Sequence, residues 1–295
     1  MTYTGLAAFH AVAEAGGFTR AAAARNISQP TLSAQVKEIE KAFGVRLFDR
    51  AGRGARLTPV GQSLFVITAR LFAAEEEAMA LLSGTQALHT GHLRIAADSA
   101  THVMATLARM RERHPGLTFS LTIGNSSNVV DQLMEFSADV AITARQSADP
   151  RLYTVKLRSD QLVAFVAVTH PFGRRRTLPI EAFEGQDLVL RERGSITREV
   201  FETRLSEAGI KPRNLLEVQS REAVREAVAA GFGIGVIFDA EFRADPELKR
   251  LVVSGADLSV GEYAVCRSER RRIPLVRGFF DILTEVLDAN SSPRR

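Results

Sequence analysis

The chain has 295 residues, of which 45% are hydrophobic and 24% are charged, a globular composition that excludes a disordered or fibrous protein. At this length we expect two or three domains rather than one core. The formal net charge is +4 and a single cysteine excludes an internal disulfide. No run of about 18 apolar residues suggests a membrane span, and no secretory leader is recognised, so we expect a cytoplasmic protein.

The positive charge is concentrated at the start of the chain. Residues 1–58 contain 8 Lys and Arg but only 4 Asp and Glu, whereas the remaining 237 residues contain 30 of each. Because proteins bind duplex DNA largely by neutralising its phosphates, this distribution favours a DNA-binding segment. The alternative is an amphipathic helix whose polar face is merely solvated.

A helix, a turn and a second helix are predicted between Phe18 and Phe43. One face of the second helix is predicted to be buried, because its apolar residues recur at spacings of four, three and four: Leu32, Val36, Ile39 and Phe43. Ser28 suits the cap of this helix and Pro30 suits its first turn. The other face is small or hydrogen-bonding and is predicted to contact base edges in a major groove through Gln29, Pro30, Thr31, Ser33, Ala34 and Lys37.

A basic loop follows between Val45 and Leu57. Gly52 and Gly54 permit a tight turn there, and four arginines crowd the loop: Arg46, Arg50, Arg53 and Arg56. A glycine-turned basic loop beside a recognition helix is typical of the wing of a winged helix-turn-helix. We expect Arg50 and Arg53 to bind phosphates and to position the protein on DNA.

A long helix is predicted from Pro59 to about Leu88, since no further proline interrupts this segment. Its apolar residues form a nearly heptad stripe: Val60, Leu64, Ile67, Leu71, Ala74, Ala78, Leu81 and Leu82. Roughly 30 helical residues extend about 45 Å, too far to be covered by residues 1–58 alone. We therefore predict a linker, residues 59–91, that pairs with a second chain and ends in a hinge at Thr90-Gly91. A helix lying on the C-terminal domain is the alternative.

From Leu93 onward, strands and helices alternate, and a similar series restarts near Gln161. Repeated βα units predict parallel sheet with crossover helices. We predict a C-terminal domain, residues 92–295, with one lobe from 92–160 and 267–295 and another from 161–266. Ligands of such sheets bind at the carboxyl ends of the strands, here in the cleft between the lobes.

Polar residues follow several of these predicted strands, most of them where a helix begins. The candidate ligand-binding residues are Asp98, Ser99, Thr101, Asn125, Ser126, Thr143, Arg145, Ser195, Ile196 and Thr197. Hydroxyls and free N–H groups at helix N-termini form anion sites. Each Ser or Thr taken alone is better explained as a helix cap, but four such helix starts converging on one cleft predict a small anionic ligand.

The chain resembles the LysR-type transcriptional regulators along its whole length. The resemblance is carried by these segments: Phe18-Thr19-Arg20-Ala21-Ala22, Ser28-Gln29-Pro30, Gly44-Val45-Arg46-Leu47-Phe48-Asp49-Arg50, Leu57-Thr58-Pro59-Val60-Gly61, His114-Pro115-Gly116 and Val228-Ala229-Ala230-Gly231. It implies an α/β protein with a winged helix-turn-helix (1–58), a linker helix and a two-lobed effector domain resembling periplasmic binding proteins. Implied partners are double-stranded DNA, a small effector, a second copy in a homodimer or homotetramer, and RNA polymerase.

Many relatives carry an arginine where this chain has Ala34, so the operator contacts are expected to differ. Segments 123–126, 190–198 and 220–228 look like a LysR-type subgroup associated with 2-aminoethylphosphonate catabolism. That effector is a zwitterion whose phosphonate suits hydroxyl-rich helix starts. Its ammonium needs a carboxylate, which Asp98, Asp239 or Glu222 could supply. An organic carboxylate, sulfate or an amino-acid precursor are the alternative effectors.

Two other classes of protein are weighed against a regulator. The six histidines lack metal-ligand spacing apart from His89 and His92, and no GxSxG, HExxH or P-loop motif is found, so we predict neither an enzyme nor a cofactor or metal. The glycine-rich run 231–235 precedes a predicted strand rather than following one, which argues against a dinucleotide site. A solute-binding module would explain residues 93–295 but not the winged domain.

Overall fold

The computed structural model describes residues 3–49, 55–83 and 91–291. The predicted phosphate-binding Arg50 and Arg53 and the hinge residue Thr90 lie outside these ranges. Within them, no helix combines the length and hydropathy that a membrane crossing needs.

The N-terminal domain has the predicted winged helix-turn-helix architecture. Its helices are α1 (Tyr3–Ala15), α2 (Phe18–Ala24) and α3 (Gln29–Phe43). Its wing strands, β1 (Phe48–Asp49) and β2 (Arg56–Leu57), pair antiparallel. The core lies where these helices meet the wing and is formed by buried residues that include Phe9, Val12, Leu32, Val36, Ile39 and Leu47.

The buried face of α3 ends one turn earlier than predicted. Leu32, Val36 and Ile39 are buried, but the Phe43 side chain is 56% exposed. Phe43 is the last residue of α3, and the chain then turns away through Gly44 in a left-handed conformation with φ of 65°. The apolar spacing continues past the edge of the small core, so periodicity alone overstated the buried face.

Helix α4 (Pro59–Ser83) leaves the winged domain with two apolar faces. One face packs on α1, where the Phe72 ring contacts the rings of Tyr3 and His10. On the other face, Ile67 is 53% and Leu71 is 41% exposed. Leu64, predicted to belong to this outer stripe, is half-buried against the winged-domain core.

A ten-stranded sheet forms the C-terminal domain. Its strands are β3 (Gly91–Ala97), β4 (Leu117–Ile123), β5 (Val140–Thr143), β6 (Leu152–Ala167), β7 (Thr177–Pro179), β8 (Asp187–Arg191), β9 (Asn214–Val218), β10 (Ile234–Phe238), β11 (Leu248–Ser254) and β12 (Ser259–Arg267). Their order across the sheet is β4-β3-β5-β12-β6-β10-β8-β9, with β11 beside β6 and β7 beside β11. The predicted two-lobed α/β architecture is confirmed.

Two long antiparallel strands join the lobes. Strand β6 pairs with β12 over Leu152–Gln161 and then with β10 and β11 over 162–167, so one strand serves both lobes. Strand β12 returns and lies beside β5 of lobe I over 263–266, which brings the return earlier than the predicted boundary at 267. The first half of β6 was not predicted as a strand, nor was β11.

Helices cover the sheet of each lobe. Lobe I carries α5 (Met104–Arg113), α6 (Ser126–Met134) and α9 (Pro274–Ser291), whereas lobe II carries α7 (Ile196–Glu207) and α8 (Arg221–Ala229). Helices α5, α6, α7 and α8 each follow a parallel strand, so their starts face the carboxyl ends of the strands. Helix α9 instead begins beside Gly91, at the start of β3.

The winged domain packs directly on lobe I. Phe136, just after α6, is buried in the winged-domain core with its ring 5.4 Å from that of Phe65. The guanidinium of Arg267 lies 3.9 Å from the centre of the Phe136 ring. Phe136 has a φ of 60°, a left-handed conformation that a bulky residue keeps only where surrounding contacts impose it.

Charged residues surround this aromatic contact. Arg94 of β3 forms ion pairs with Glu14 of α1, at 3.1 Å, and with the buried Asp139, at 2.8 Å. Burial opposes the charge of Asp139, but Arg94 and Arg270 hold its pKa below the usual range. Burial lowers the pKa of the nearby His10 to about 4. The interface therefore combines an apolar centre with paired charges.

Candidate functional site

The exposed face of α3 forms the first candidate site. Ser28 caps the helix, because its hydroxyl oxygen accepts a hydrogen bond from the Thr31 backbone N–H at 3.2 Å. Five of the six residues predicted to contact bases are exposed, namely Gln29, Pro30, Thr31, Ala34 and Lys37, and Ser33 is half-buried. The helix thus presents its polar N-terminal half to solvent, as a major-groove reader requires.

The wing is fixed to this helix through backbone contacts. The Glu40 carboxylate accepts the Leu47 backbone N–H at 2.7 Å, and the Thr58 hydroxyl donates to the Arg46 carbonyl at 2.6 Å. Gly61 lies so close to this turn that a Cβ atom would come 2.2 Å from the Leu47 carbonyl oxygen. Arg46 and Arg56, the described arginines of the predicted wing, are both exposed.

A cleft of about 550 Å³ between the lobes forms the second candidate site. Lobe I lines it with Ser99, Ala100, Ile123, Gly124, Asn125 and Asn128. Lobe II lines it with Arg191, Glu192, Gln219, Ser220 and Arg221. The cavity therefore lies at the carboxyl ends of the strands, as the alternation of strands and helices predicted.

Three helical turns begin at this cleft. Asn125 caps α6 by accepting the Asn128 N–H at 3.0 Å, and Ser220 caps α8 by accepting the Ala223 N–H at 3.0 Å. Ser99 caps a short 3-10 turn through the Thr101 N–H. These side chains act as caps and also line the cavity, so the positive ends of the α6 and α8 dipoles lie at the cleft.

The predicted residues Asp98, Ser126 and Thr143 lie beneath the cleft rather than along it. The buried Asp98 carboxylate accepts the Ser126 hydroxyl and the Ala144 N–H, both at 2.7 Å. The buried Thr143 hydroxyl accepts the Arg145 N–H at 3.1 Å. Asp98 therefore ties the ends of β3 and β5 to the start of α6, and it is not among the residues that line the cavity.

The remaining predicted residues have other surroundings. Thr101 is exposed and does not line the cavity. Ser195 is buried and makes no side-chain cap for α7, and Ile196 packs against the core of lobe II. Thr197 lines a separate cavity of about 10 Å³ with Arg191 and Arg221. Of the ten predicted residues, the structure brings Ser99 and Asn125 to the cleft.

Contacts between the lobes border the cavity on one side. The Arg145 guanidinium of lobe I pairs with the Glu199 carboxylate of α7. The Ser127 N–H donates to the Gly194 carbonyl at 3.2 Å, which places the start of α6 against the loop that precedes α7. The lobes therefore already touch beside the cavity.

Two arginines at the cleft were not predicted from the sequence. Arg191 makes a bidentate ion pair with Glu192, with N–O distances of 2.8 and 2.9 Å. Arg221 crosses from lobe II to the Asp98 carbonyl and also pairs with Glu241 at 2.6 Å. The sequence pattern around them was uninformative. Arg191 ends a strand and Arg221 begins a helix, and arginines at such positions are usually surface residues.

The carboxylates proposed for a cationic group are not at the cavity. Asp239 is paired with Arg250 at 2.5 and 2.6 Å, and Glu222 is exposed outside the lining. Glu192 is the acidic residue of the lining instead.

Burial raises the pKa of the Cys266 thiol to about 12, so this cysteine is a core residue rather than a nucleophile.

Both regions match known protein families. Residues 3–62 match the family described as bacterial regulatory helix-turn-helix protein, lysR family. Residues 86–288 match the LysR substrate binding domain. The two matches together cover the winged domain, part of α4 and both lobes, so the two candidate sites lie in two separately recognised domains.

Individual proteins agree with these matches. The chain is 29% identical over 231 residues to the HTH-type transcriptional activator CmpR of Synechocystis, covering 78% of this chain and 76% of that protein. A full-length OxyR variant from Pseudomonas aeruginosa superposes with a TM-score of 0.81 over 96% of this chain and 94% of that one, at 22% identity. The regulatory domain of Synechocystis CcmR in complex with 2-PG gives a TM-score of 0.62 over 67% of this chain and 98% of that one, at 23% identity. At these identities the structural likenesses establish the fold alone.

Proposed function

Since the chain belongs to the LysR family of DNA-binding transcriptional regulators, we propose that a small anionic effector binds the cleft between its lobes and thereby controls its binding to DNA. The relatives are regulators and not enzymes. A regulator of this kind acts on chromosomal DNA, so a cytoplasmic location is part of the proposal, and RNA polymerase is its further proposed partner.

One observation carries the effector proposal: basic side chains and helix starts line the same cavity. Arg191 and Arg221 come from lobe II, and the N-termini of α6 and α8 open on the cavity from opposite lobes. Guanidinium groups and free backbone N–H groups both favour bound anions, and phosphate-like oxygens suit the planar fork of arginine. A ligand held by both lobes would stabilise their contact and bias the protein towards that state.

We propose 2-aminoethylphosphonate as the leading effector, from the resemblance of segments 123–126, 190–198 and 220–228. The structural neighbour CcmR is described as a complex with 2-PG, which makes 2-PG the first compound to compare. A thermal-shift screen of the full-length protein against phosphonates, phosphates, carboxylates and sulfate tests the class of effector. A compound at 100 times its Kd should stabilise the protein by about 2.7 kcal/mol; stabilisation by none of the anions would contradict the proposal.

Titration calorimetry on variants of two neighbouring hydroxyl-bearing residues, Ser99 and Thr101, checks the position of the effector. We expect Ser99→Ala to weaken binding of the anion about 10- to 100-fold, because a hydroxyl donor to a charged ligand is lost. Thr101→Val is the matched control and should leave the affinity within about twofold, since Thr101 lies outside the lining. Equal affinities of all three proteins would place the ligand elsewhere.

DNA binding is proposed to use the exposed face of α3 for base contacts and the wing for phosphates. Arg53→Ala in the wing should weaken binding to all sequences and reduce the slope of log affinity against log salt by about 1, as expected for one lost phosphate contact. Lys211→Ala, an exposed lysine of lobe II, is the control. Fluorescence anisotropy at several salt concentrations measures both quantities, and an unchanged affinity and slope in Arg53→Ala would contradict the assignment of phosphate contacts to the wing.

Assembly as a homodimer, and as a homotetramer built from such dimers, completes the proposal. The outer face of α4 exposes a line of apolar residues without a covering element in the described part of this chain. A two-fold dimer presents two copies of α3, so we expect the operator to be an interrupted inverted repeat.

A further inference from the structure

Arg191 and Glu192 neutralise each other at the wall of the cleft. The guanidinium Nε and one terminal nitrogen of Arg191 each donate to a different oxygen of the Glu192 carboxylate. This fork geometry is the one in which arginine also binds a phosphonate or a ligand carboxylate. The Glu192 carboxylate therefore occupies the place on Arg191 that an anionic ligand would take.

The two partners differ in how far they can move. Arg191 is the last residue of β8 and its side chain is 7% exposed, whereas Glu192 lies beyond the strand with 16% exposure. Burial opposes the charge of Glu192, but hydrogen bonds from Arg191 and, across the cleft, from Asn125 keep its pKa below the usual value. Glu192 is therefore ionised at neutral pH and attached to both lobes.

The other arginine of the cleft is held differently. Arg221 donates to the Asp98 carbonyl and to the Glu241 carboxylate, whose side chain is 5% exposed. Glu241 lies outside the cavity lining, so it does not compete for a ligand there. Among the residues that line the cavity, the exchangeable pair is thus Arg191 with Glu192.

We propose that the effector is a small zwitterion that takes the place of this ion pair. Its anionic group displaces the Glu192 carboxylate from Arg191, and the released carboxylate binds its ammonium group. This inference rests on the proposed function of the cleft and assigns Glu192, a residue next to the ligand, as the determinant that selects an ammonium-bearing effector.

The exchange keeps every charge in the cleft paired. Arg191 passes from one anion to another, and Glu192 passes from one cation to another. An anion that lacks an ammonium would instead leave Glu192 without a cationic partner in a half-buried site, which is costly because a charge removed from water needs compensation. A simple anion should therefore bind more weakly than a zwitterion of the same size.

Two phosphonates that differ in the amino group test this exchange. The full-length wild type, Glu192→Gln and the control Glu222→Gln are titrated by calorimetry with 2-aminoethylphosphonate and with ethylphosphonate. We expect the wild type and the control to prefer 2-aminoethylphosphonate by about 10-fold or more, the range of one hydrogen bond to a charged group. Glu192→Gln should bind ethylphosphonate more tightly than the wild type does and should lose the preference for the amine.

The outcomes separate this inference from the proposed function. If Glu192→Gln keeps the wild-type preference, or if it weakens both ligands equally, the exchange is wrong although the cleft still binds anions. If ethylphosphonate already binds the wild type as tightly as the amine does, Glu192 does not select the ligand. Absence of binding by either phosphonate to all three proteins would overturn the zwitterion assignment, and the anion screen would then decide whether the cleft binds effectors at all.

Discussion

Replacement of both Ile67 and Leu71 by glutamate is expected to convert the protein into a monomer whose affinity for its operator is about 100- to 10,000-fold lower. Both residues lie four positions apart on the outer face of α4, where they are 53% and 41% exposed. Burial of this face in a second chain would be prevented by four glutamates brought together across a two-fold axis. Loss of the dimer removes the second recognition helix, and with it the gain that comes from bivalent binding.

Light scattering and anisotropy with an operator duplex measure the two consequences together. The matched control is the double change Gln62→Glu and Val66→Glu, which adds the same charges to exposed positions of α4. A helical rotation of 100° per residue places these two positions away from the line of Ile67 and Leu71. A wild type that is monomeric at micromolar concentration, or a control that also dissociates, would contradict the assignment of this face.

Replacement of Phe136 by alanine is expected to destabilise the winged domain by about 3–5 kcal/mol, the usual cost of removing a buried aromatic ring. The ring lies in the winged-domain core between Phe65 and the Arg267 guanidinium, although its backbone belongs to lobe I. The same helix, α6, begins at the cleft with the cap residue Asn125 and ends beside Phe136. We therefore expect the variant also to lose the effect of the ligand on DNA affinity.

Chemical denaturation and DNA titrations with and without 2-aminoethylphosphonate check this expectation. Phe232→Ala is the control, because Phe232 is 59% exposed on lobe II and its loss should change stability by less than about 0.5 kcal/mol. A Phe136→Ala protein with wild-type stability would show that the ring is not needed in the core. A destabilised protein that still responds to ligand would show that α6 does not connect the two sites.

Local patterns predicted the regular parts of the fold well. The spacing of Leu32, Val36 and Ile39 predicted the buried side of α3, and the alternation of strands and helices from Leu93 onward predicted the two lobes. The prediction was poor where the chain has no single buried side. The first half of β6 carries charged residues at Lys156, Arg158 and Asp160 because it runs between the lobes, and its pattern therefore resembled a loop.

The composition of the cleft could not be predicted from local patterns in the same way. Polar residues at helix starts identified Ser99 and Asn125, but the same pattern also selected Asp98 and Ser126, which form a hydrogen bond with each other beneath the cavity. Whether a cap faces the ligand or the core depends on the direction in which its helix leaves the sheet. Arg221 meets Glu241 and the Asp98 carbonyl only through the fold, so nothing in its neighbouring residues distinguished it from a surface arginine.

The strand shared by the lobes determines how stiff the connection between them is. Strand β6 passes directly from its ladder with β12 into its ladders with β10 and β11. The two lobes are therefore connected by one continuous, hydrogen-bonded strand. Rotation of one lobe must bend hydrogen-bonded backbone over several residues. The register shift between Glu262 and Tyr263, which leaves Leu157 of β6 without a ladder partner, is a point where this pair of strands can bend. We expect effector binding to rotate one lobe slightly against the other, with the bending distributed along β6. Such a rotation would tilt α6 against the winged domain without exposing the cores of the lobes.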